Sequence, residues 1–600
     1  MRSIGSRSRA LRIVRLCLGV HRLLTLLLLG CTVVAGLLAP AFTIATGALV
    51  TAVTRGDGAW LALAVASALY LTQRLLAPVQ QEIGNALTRR VDEALAERLM
   101  VTLSGPPGLV HIEDPTMLDA VAKAQGTLIG VTPGGAAPRL GLVWNQRLQG
   151  AISLVIVGTW RWWAPLVLLS VYALAFAVSR WHWHQVTQVI FGRTDELRRS
   201  YYLRTLALAP ALAKETRVFG LAGWLVERYR AGWLEVMRDA WRRRREGWLA
   251  ALGIYGLAAT SEAAIILAVA GEAASGELSL GRAVVVAGAV IAAGALAIFQ
   301  DAHWYVAQGA DALAQLEAMQ DVAGHVGGVV GGTTSADELP HEKICFEGVR
   351  FGYPGRDLPV FAALDLEIEA GRSLAIVGEN GAGKTTLVKL LARLYDPDAG
   401  RITVDGVDLR ELAPRSWHRR ISAIFQDFTQ FELSAEDNVA FGALHRRGDR
   451  DAVARAVEQA GAAAVIARLP HGWDTPLSRQ VSGGTQLSGG QWQRLALARA
   501  LFAVQAGAGI LVLDEPTASL DVRGETEIYE RFFELTRGVT TIVISHRFST
   551  VRRADRIVVL EHGRVVEDGC HDELMAAGGR YAAMYALQAA RFDAAGGEDA

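Results

Sequence analysis

Long apolar runs and helical stretches fill the first half of the chain; short, nearly continuous apolar runs separated by turns fill the second. A membrane-crossing helix needs about 20 mostly apolar residues. Six stretches meet that requirement, at about 23–50, 59–77, 142–160, 164–184, 248–271 and 282–301. The connections after the first, third and fifth are short (TRGDG, RWW, EAASGELSLG), whereas those after the second and fourth run to about sixty residues. Both long connections keep helical composition, as in DEALAERLM and WLVERYRAGWLEVMRDAWRRRREGW. Extending each neighbouring span by ~25 residues at ~1.5 Å per residue carries it roughly 40 Å past the bilayer. Each loop is then expected to turn near its middle, at about 113–123 (EDPTMLDAVAK) and 211–221 (ALAKETRVFGL).

Lys and Arg set the expected orientation, because cytosolic loops are enriched in them. The connection from His184 to Gly247 carries thirteen, including Arg242, Arg243, Arg244 and Arg245, and the leader before the first span carries six. The short loops carry only Arg55, Arg161 and Arg282 at their edges. Both long loops are therefore placed in the cytosol, with Trp160, Trp162 and Trp163 in an outer interfacial belt. The basic N-terminus resembles a signal peptide at first, but its apolar segment runs to about Val50 without a convincing cleavage site. A retained multi-pass anchor in the plasma membrane is the expectation.

Residues 323–340 (AGHVGGVVGGTTSADELP) are rich in Gly and polar residues and read as a flexible linker. Beyond them SLAIVG, RITVDG, GILVLD, TTIVIS and RIVVLEHG alternate with helical runs, the pattern of a parallel sheet covered by helices. The organisation read from the chain is a basic leader (1–22), an all-α transmembrane domain of six helices (23–322), a linker (323–343), an α/β domain (344–590) and a tail (591–600).

Composition narrows the function classes. Of 600 residues 51% are hydrophobic, mean hydropathy is +0.25, and formal net charge is zero. A neutral chain gives no electrostatic case for a nucleic-acid partner. Cys17, Cys31, Cys345 and Cys570 lie far apart, which argues against a disulfide or zinc scaffold and for a reducing surrounding of the soluble part.

Two motifs carry chemistry. Gly378, Glu379, Asn380, Gly381, Ala382, Gly383, Lys384, Thr385 and Thr386 fit GxxxxGK[ST], after the apolar strand SLAIV and before the helical run LVKLLARL. In that context backbone N–H groups converge on phosphate oxygens at a helix N-terminus, Lys384 reaches the β- and γ-phosphates and the Thr385 hydroxyl ligates Mg²⁺. The second, GILVLDEPTASLD, carries Asp514 to the end of a strand, where a carboxylate serves Mg²⁺; Glu515 follows on the turn, placed to polarise water.

Together these residues resemble the ATP-binding cassette (ABC) family, whose signature LSGGQ stands at Leu487, Ser488, Gly489, Gly490 and Gln491. The resemblance covers about 344–590. It implies ATP and Mg²⁺ as cofactors and catalytic roles for Glu515, His546 and Gln426. Tyr353 would stack on adenine, and Gln426 would join Thr385 and Asp514 around the metal. Ser519, Leu520 and Asp521 would form the loop crossing a dimer interface, and His546 would contact the γ-phosphate. In that family two cassettes sandwich two ATP molecules, the signature of one completing the phosphate loop of the other. The six spans resemble exporter-type ABC half-transporters, with EDPTMLDAVAKA and AKETRVFGL similar to their coupling helices. That implies ATP-driven transport of an amphipathic, small-molecule, peptide or lipid cargo by a homodimer, or by a heterodimer with a related chain. Importers and lipid flippases share the architecture. A soluble ABC ATPase is disfavoured by the spans, and a cassette-gated channel by the intact Glu515 and His546. With 22 residues ahead of the first span, a peptidase domain of the kind some peptide exporters carry is not expected.

Within the spans, Glu262 falls mid-membrane, where a lone charge costs about 2.5–3.5 kcal/mol. Two readings stand: Glu262 lines a path for cationic or polar amphipathic cargo, or it pairs between helices, with Arg147 the nearest candidate by depth. Asn145, Gln146 and Gln149 line the same path or bind helices together. The Arg242–Arg245 run reads as attraction to anionic membrane lipid. Finally, Ser482-Gly483-Gly484 repeats the Ser488-Gly489-Gly490 triplet. It falls where many exporters of the family place a Gly-Glu-x-Gly loop that contacts the coupling helices, so it reads either as an altered relay lacking the acid or as a flexible turn.

Overall fold

The computed structural model describes residues 6–114, 117–118, 121, 131–192, 194–326, 329, 331–356, 358–515, 534–545 and 547–596. Its contacts divide the chain into two units, 1–102 with 115–321, and 103–114 with 322–600.

Among the described residues the first unit is helical. Its elements are α1 (Ser6–Val20), α2 (Arg22–Arg55), α3 (Ala59–Ser104), α5 (Ala136–Gly158), α6 (Ala164–Gly192), α7 (Thr194–Leu208), α8 (Ala213–Val218), α9 (Ala222–Ala274), α10 (Leu280–Ala293) and α11 (Asp301–Val326); α4 (Val110–Glu113) lies in the second unit. Five helical stretches are long and apolar enough to cross a membrane: Arg22–Arg55, Ala59–Ser104, Ala164–Val189, Ala222–Ala274 and Leu280–Gln320. The third expected span is the helix α5, but its run Asn145–Gln149 keeps it below that apolarity, while Gly141, Gly150, Ser153, Leu154 and Val157 are buried. A polar helix of this kind is tolerable where neighbours cover it. At 46 and 53 residues, α3 and α9 are far longer than the hydrocarbon core requires.

Apolar side chains of α5, α6, α9 and α10 form one cluster that includes Val157, Leu168, Tyr172, Ile254, Ala258, Ile265, Val286 and Val290. Small residues set the closest approach. A Cβ on Gly281 of α10 would stand 1.9 Å from Thr51 Oγ1 and 2.3 Å from the Gly47 carbonyl of α2, so these backbones can meet only without side chains. The sixth expected span is broken: α10 ends at Ala293, a 3₁₀ turn covers Gly294–Leu296, and α11 resumes at Asp301.

The expected turn at 211–221 is present, as a 3₁₀ turn at Pro210–Leu212 followed by α8, with Val218 and Phe219 exposed. The turn at 113–123 lies largely outside the described residues. Just before it, segment 103–114 belongs to the second unit: Leu109 N donates to the Leu394 carbonyl at 3.0 Å, and Leu109 and Val110 pack on the core around Tyr353 and Tyr395.

The second unit carries two sheets. Strands β1 (Lys343–Phe351), β2 (Phe361–Glu369), β4 (Ala399–Val404) and β5 (Val407–Asp408) form an antiparallel sheet in the order β2-β1-β4-β5. Strands β3 (Ser373–Val377), β6 (Ile421–Ile424), β7 (Ile510–Asp514), β8 (Thr540–Ile544), β9 (Arg556–Glu561) and β10 (Arg564–Gly569) form the other, in the order β10-β9-β3-β8-β7-β6. Within it β9, β3, β8, β7 and β6 are parallel and β10 is an antiparallel edge. RITVDG, expected in the parallel sheet, is instead β4: it pairs antiparallel with β1 and β5, and it is exposed over Ala399–Arg401 and buried over Ile402–Val404, whereas β7 and β8 are buried at every position. The linker expectation also fails in part. Ala336 is fully buried, its N–H donates to Ser416 Oγ at 2.9 Å, and Thr334 bridges to Leu412, so this stretch is laid onto the α/β unit.

Candidate nucleotide site

The parallel strands point their C-terminal ends one way, and a ligand in such a sheet binds beyond those ends. β3 runs into the loop Gly378–Gly383, and α12 (Lys384–Leu391) leaves it. Two glycines are sterically required. At Gly378 (φ 154°) a Cβ would lie 2.2 Å from the Leu560 carbonyl; at Gly383 (φ 106°) it would lie 2.7 Å from the Phe361 ring. Lys384 Nζ folds back on its own loop, donating to the Gly378 carbonyl at 2.8 Å and to the Glu379 carbonyl at 3.0 Å. Burial pulls its pKa below the ordinary lysine value, partly opposed by Glu515 and Asp514.

β7 lies two strands from β3, with β8 between, and brings Asp514 to the same edge. Thr385 Oγ1 donates to Asp514 Oδ2 at 3.0 Å. Asp514 is 2% exposed, and its carboxyl pKa is raised by burial, with Thr385 and Lys384 opposing and Glu515 and Asp427 adding to the rise. Next to it Glu515 adopts φ 44°, a left-handed conformation uncommon for a non-glycine residue, and its N–H donates to the Ile544 carbonyl at 2.9 Å. Backbone strain of this kind concentrates at functional sites.

This donor set fits Mg²⁺. A hydroxyl and a buried carboxylate already meet at Thr385 and Asp514, and hard oxygen ligands of few carboxylates, completed by phosphate and water, are what Mg²⁺ takes. Gln426 follows β6 by two residues and is exposed, at the same end of the sheet.

Tyr353 is half-buried. Its hydroxyl shares a 3.1 Å hydrogen bond with Thr386 Oγ1; Lys389 Nζ and the Arg356 guanidinium stand 5.1 and 5.7 Å from its ring centre, and Phe351 and Tyr395 meet it edge-on at 5.2 and 5.5 Å. The ring is thereby fixed directly to the phosphate-loop helix.

The two triplets separate structurally. Leu487 is buried, and Ser488 caps α13 (Gly489–Gln505). Gln491 N donates to Ser488 Oγ at 3.4 Å while Ser488 N donates to Gln491 Oε1 at 2.8 Å, so both signature side chains are used to start the helix. Ser488 and Gly489 remain exposed, and no hydrogen bond joins them to the phosphate loop among the described residues. The earlier triplet is a turn with no helix behind it. Gly484 N donates to the Val481 carbonyl at 3.0 Å, and a Cβ on Gly484 would lie 2.0 Å from the Ser478 carbonyl. Ser482 is exposed at its tip. Ser519, Leu520, Asp521 and His546 lie outside the described residues.

In the helical unit Glu262 and Arg147 are not an ion pair among the described residues. Glu262 Oε1 accepts the Tyr172 hydroxyl at 2.8 Å; Arg147 donates to the Leu296 carbonyl at 3.3 Å and stacks 4.2 Å from the Phe176 ring centre. Sequence depth matched the two residues, but Glu262 finds its donor on the fully buried Tyr172. Asn145 Oδ1 is buried with no hydrogen-bond partner among the described residues, and Gln146 Nε2 donates to Gln300 Oε1 at 3.0 Å. Tyr172 was missed in the sequence because nothing there distinguishes it from other apolar-span aromatics.

The fold and site define a phosphate-loop nucleotide-binding cassette joined to a bundle of membrane-length helices. Residues 361–518 match the family model described as ABC transporter. The ATP-dependent lipid A-core flippase of Chromohalobacter salexigens is 45% identical over 246 residues, 41% of this chain and 41% of that protein. The protein of the same name from Methylococcus capsulatus is 46% identical over 246 residues, 41% of this chain and 40% of that protein. The chain thus spans about two fifths of the length of these curated relatives. Among solved structures, a bacterial Atm1-family ABC exporter with ATP bound aligns over 93% of this chain and 98% of that one, with a TM-score of 0.68 and 27% identity. The cassette belongs to the ABC transporter family, and the chain as a whole has the architecture of an exporter-type ABC half-transporter.

Proposed function

We propose that this chain is an ATP-driven transporter of the exporter type, in which binding and hydrolysis of ATP drive alternating access in the helical unit. The observation that carries the reading is the convergence of Lys384, Thr385, Asp514 and Glu515 at one end of the parallel sheet, in a chain whose other half holds five membrane-length helices among its described residues. Thr385, Asp514 and Gln426 would hold Mg²⁺, which would supply neutralisation of phosphate charge when bound. Lys384 leaves its loop carbonyls for the β- and γ-phosphates, Tyr353 stacks on adenine, and Glu515 orients and polarises the attacking water, with His546 on the γ-phosphate.

The exposed Ser488 and the N-terminus of α13 present donors that suit a phosphate on another molecule, which supports a dimer in which the signature residues 487–491 of the partner subunit complete each site. Ser519, Leu520 and Asp521 are assigned to that interface. The second copy is this chain itself or a related half-transporter. The protein sits as a multi-pass protein in the plasma membrane, six helices crossing it, with the cassette on the cytosolic side. Glu262, Arg147 and Asn145 line the cargo path. Export is the direction the architecture favours, and movement of a lipid between leaflets falls within it, in line with the names of the cassette's relatives.

Reconstitution into vesicles tests the reading. ATP hydrolysis is expected to rise with a transported compound, and that compound to accumulate on the side away from the cassette. Glu515→Gln is expected to lower turnover at least about 100-fold while ATP still binds. Full turnover in that variant would overturn the assignment of the base.

A further inference from the structure

Resting on the nucleotide site proposed above, we infer that the C-terminal helix acts on the phosphate loop through Arg580, a positioning residue that offsets the charge of the Glu379 carboxylate beside the nucleotide's phosphates. The helix α14 (Arg580–Gly596) begins where the Glu567 carboxylate accepts the N–H groups of Arg580 and Tyr581. From that start the Arg580 guanidinium reaches two acids, Glu561 at the end of β9 and Glu379 Oε1, the latter at 3.5 Å. Glu379 is the second residue of the phosphate loop, and its carbonyl is one of the two that hold Lys384 Nζ. One residue therefore carries the lysine on its backbone and a carboxylate on its side chain.

A carboxylate at that place opposes a polyphosphate. Its side chain is 69% exposed, so the repulsion is that of a partly screened surface charge, on the scale of exposed ion pairs. Arg580 offsets part of it while shared with Glu561, which keeps the guanidinium at the loop when the nucleotide arrives. The helix does not depend on this contact for its place. Gln588 Oε1 accepts the Phe548 N–H at 3.0 Å, and the rings of Tyr581 and Tyr585 meet Phe548 edge-on at 5.2 and 5.3 Å. Phe548 stands two positions beyond His546 in the sequence, so the same helix touches both the phosphate loop and the start of the segment that follows His546.

Full-length protein in lipid nanodiscs tests the inference through basal ATPase kinetics and calorimetric binding of AMP-PNP. Arg580→Gln is expected to raise the KM for ATP and the Kd for AMP-PNP about three-fold, with kcat and the melting temperature unchanged. On a Glu379→Gln background Arg580→Gln is expected to change neither constant further, because the charge that needed offsetting is gone; Arg580→Lys is expected to keep both constants near those of wild type. Raising the salt should narrow the difference. An unchanged Kd in Arg580→Gln, or a loss that persists on the Glu379→Gln background, overturns the inference; the second result would mark Arg580 as merely holding the helix. If the wild-type protein binds AMP-PNP with this dependence but hydrolyses no ATP, the proposed function fails and the inference stands. If it binds no AMP-PNP, both fail.

Discussion

The Tyr172 hydroxyl donates to Glu262 Oε1 at 2.8 Å, joining α6 to α9 within the apolar bundle. The absence of a side chain at Gly294 makes room for the pair, since a Cβ there would lie 2.9 Å from that same oxygen. A buried donor of this kind offsets part of the cost of a charge at membrane depth. Tyr172→Phe leaves the carboxylate without it, and a hydrogen bond to a charged group is worth about 1.5–3 kcal/mol. The melting temperature of the detergent-solubilised variant should fall, and Glu262→Gln, which still accepts a hydrogen bond, should fall less. Equal melting of Tyr172→Phe and wild type would show that the bond contributes nothing.

The contact of α2 with α10 depends on the absence of side chains at Gly47 and Gly281. Gly281→Val places its branched side chain against Thr51 and the Gly47 carbonyl, where even one methyl has no space. Overpacking costs typically ~1–3 kcal/mol, and here the α2 backbone at Gly47 as well as the Thr51 side chain must give way. Lower thermal stability and poorer yield of folded protein are expected; Gly253→Ala, where a Cβ meets nothing within 4 Å, is the matched control and should melt as wild type.

Asp405 ties the entry of β1 to the hairpin after β4. Its carboxylate accepts the N–H groups of His341, Glu342 and Lys343 at 2.6, 2.9 and 2.8 Å. Burial pushes its pKa up, but these three donors outweigh it and hold the value below that of an ordinary aspartate. A depressed carboxylate pKa contributes stability that is fully present above the unfolded value and is lost as pH falls through the folded one. Asp405→Asn should therefore lower the melting temperature at pH 7, and the gap to wild type should close as the pH drops below about 4. A gap independent of pH would assign the effect to shape rather than charge.

Ser482 stands exposed on the turn that precedes the signature, at the place where the resemblance leads one to expect an acid. Ser482→Glu should change the number of cargo molecules moved per ATP hydrolysed and leave the KM for ATP within about two-fold, since the turn has no helix behind it and no bond to the phosphate loop among the described residues. Parallel assays of transport and hydrolysis in the same vesicles read the ratio. An unchanged ratio would return this turn to a flexible connection.

Much of the cassette was legible in the order of its residues. Phosphate binding by a loop is a local property: the glycines, Lys384 and Thr385 lie within nine positions, between a strand and a helix whose periodicities are plain. Asp514 and Glu515 follow from one apolar strand in the same way. RITVDG was misplaced because a short apolar run does not say which sheet it joins, and only its antiparallel pairing with β1 and β5 decides that. The linker was misread because Gly-rich composition reports freedom in the unfolded chain; Ala336 and Thr334 found partners that composition does not encode.

What the sequence determined by itself is local: the long apolar helices, the phosphate-loop motif, the strand end that carries Asp514 and the LSGGQ stretch, each set by spacing along a helix or strand. What tertiary structure decided is which distant groups share a charge. Tyr172 and Glu262 lie 90 positions apart, and Arg580 and Glu379 lie 201 apart. Periodicity carries no information over such separations. Packing alone brings these side chains within reach, and an electrostatic partner matters only within a few ångströms.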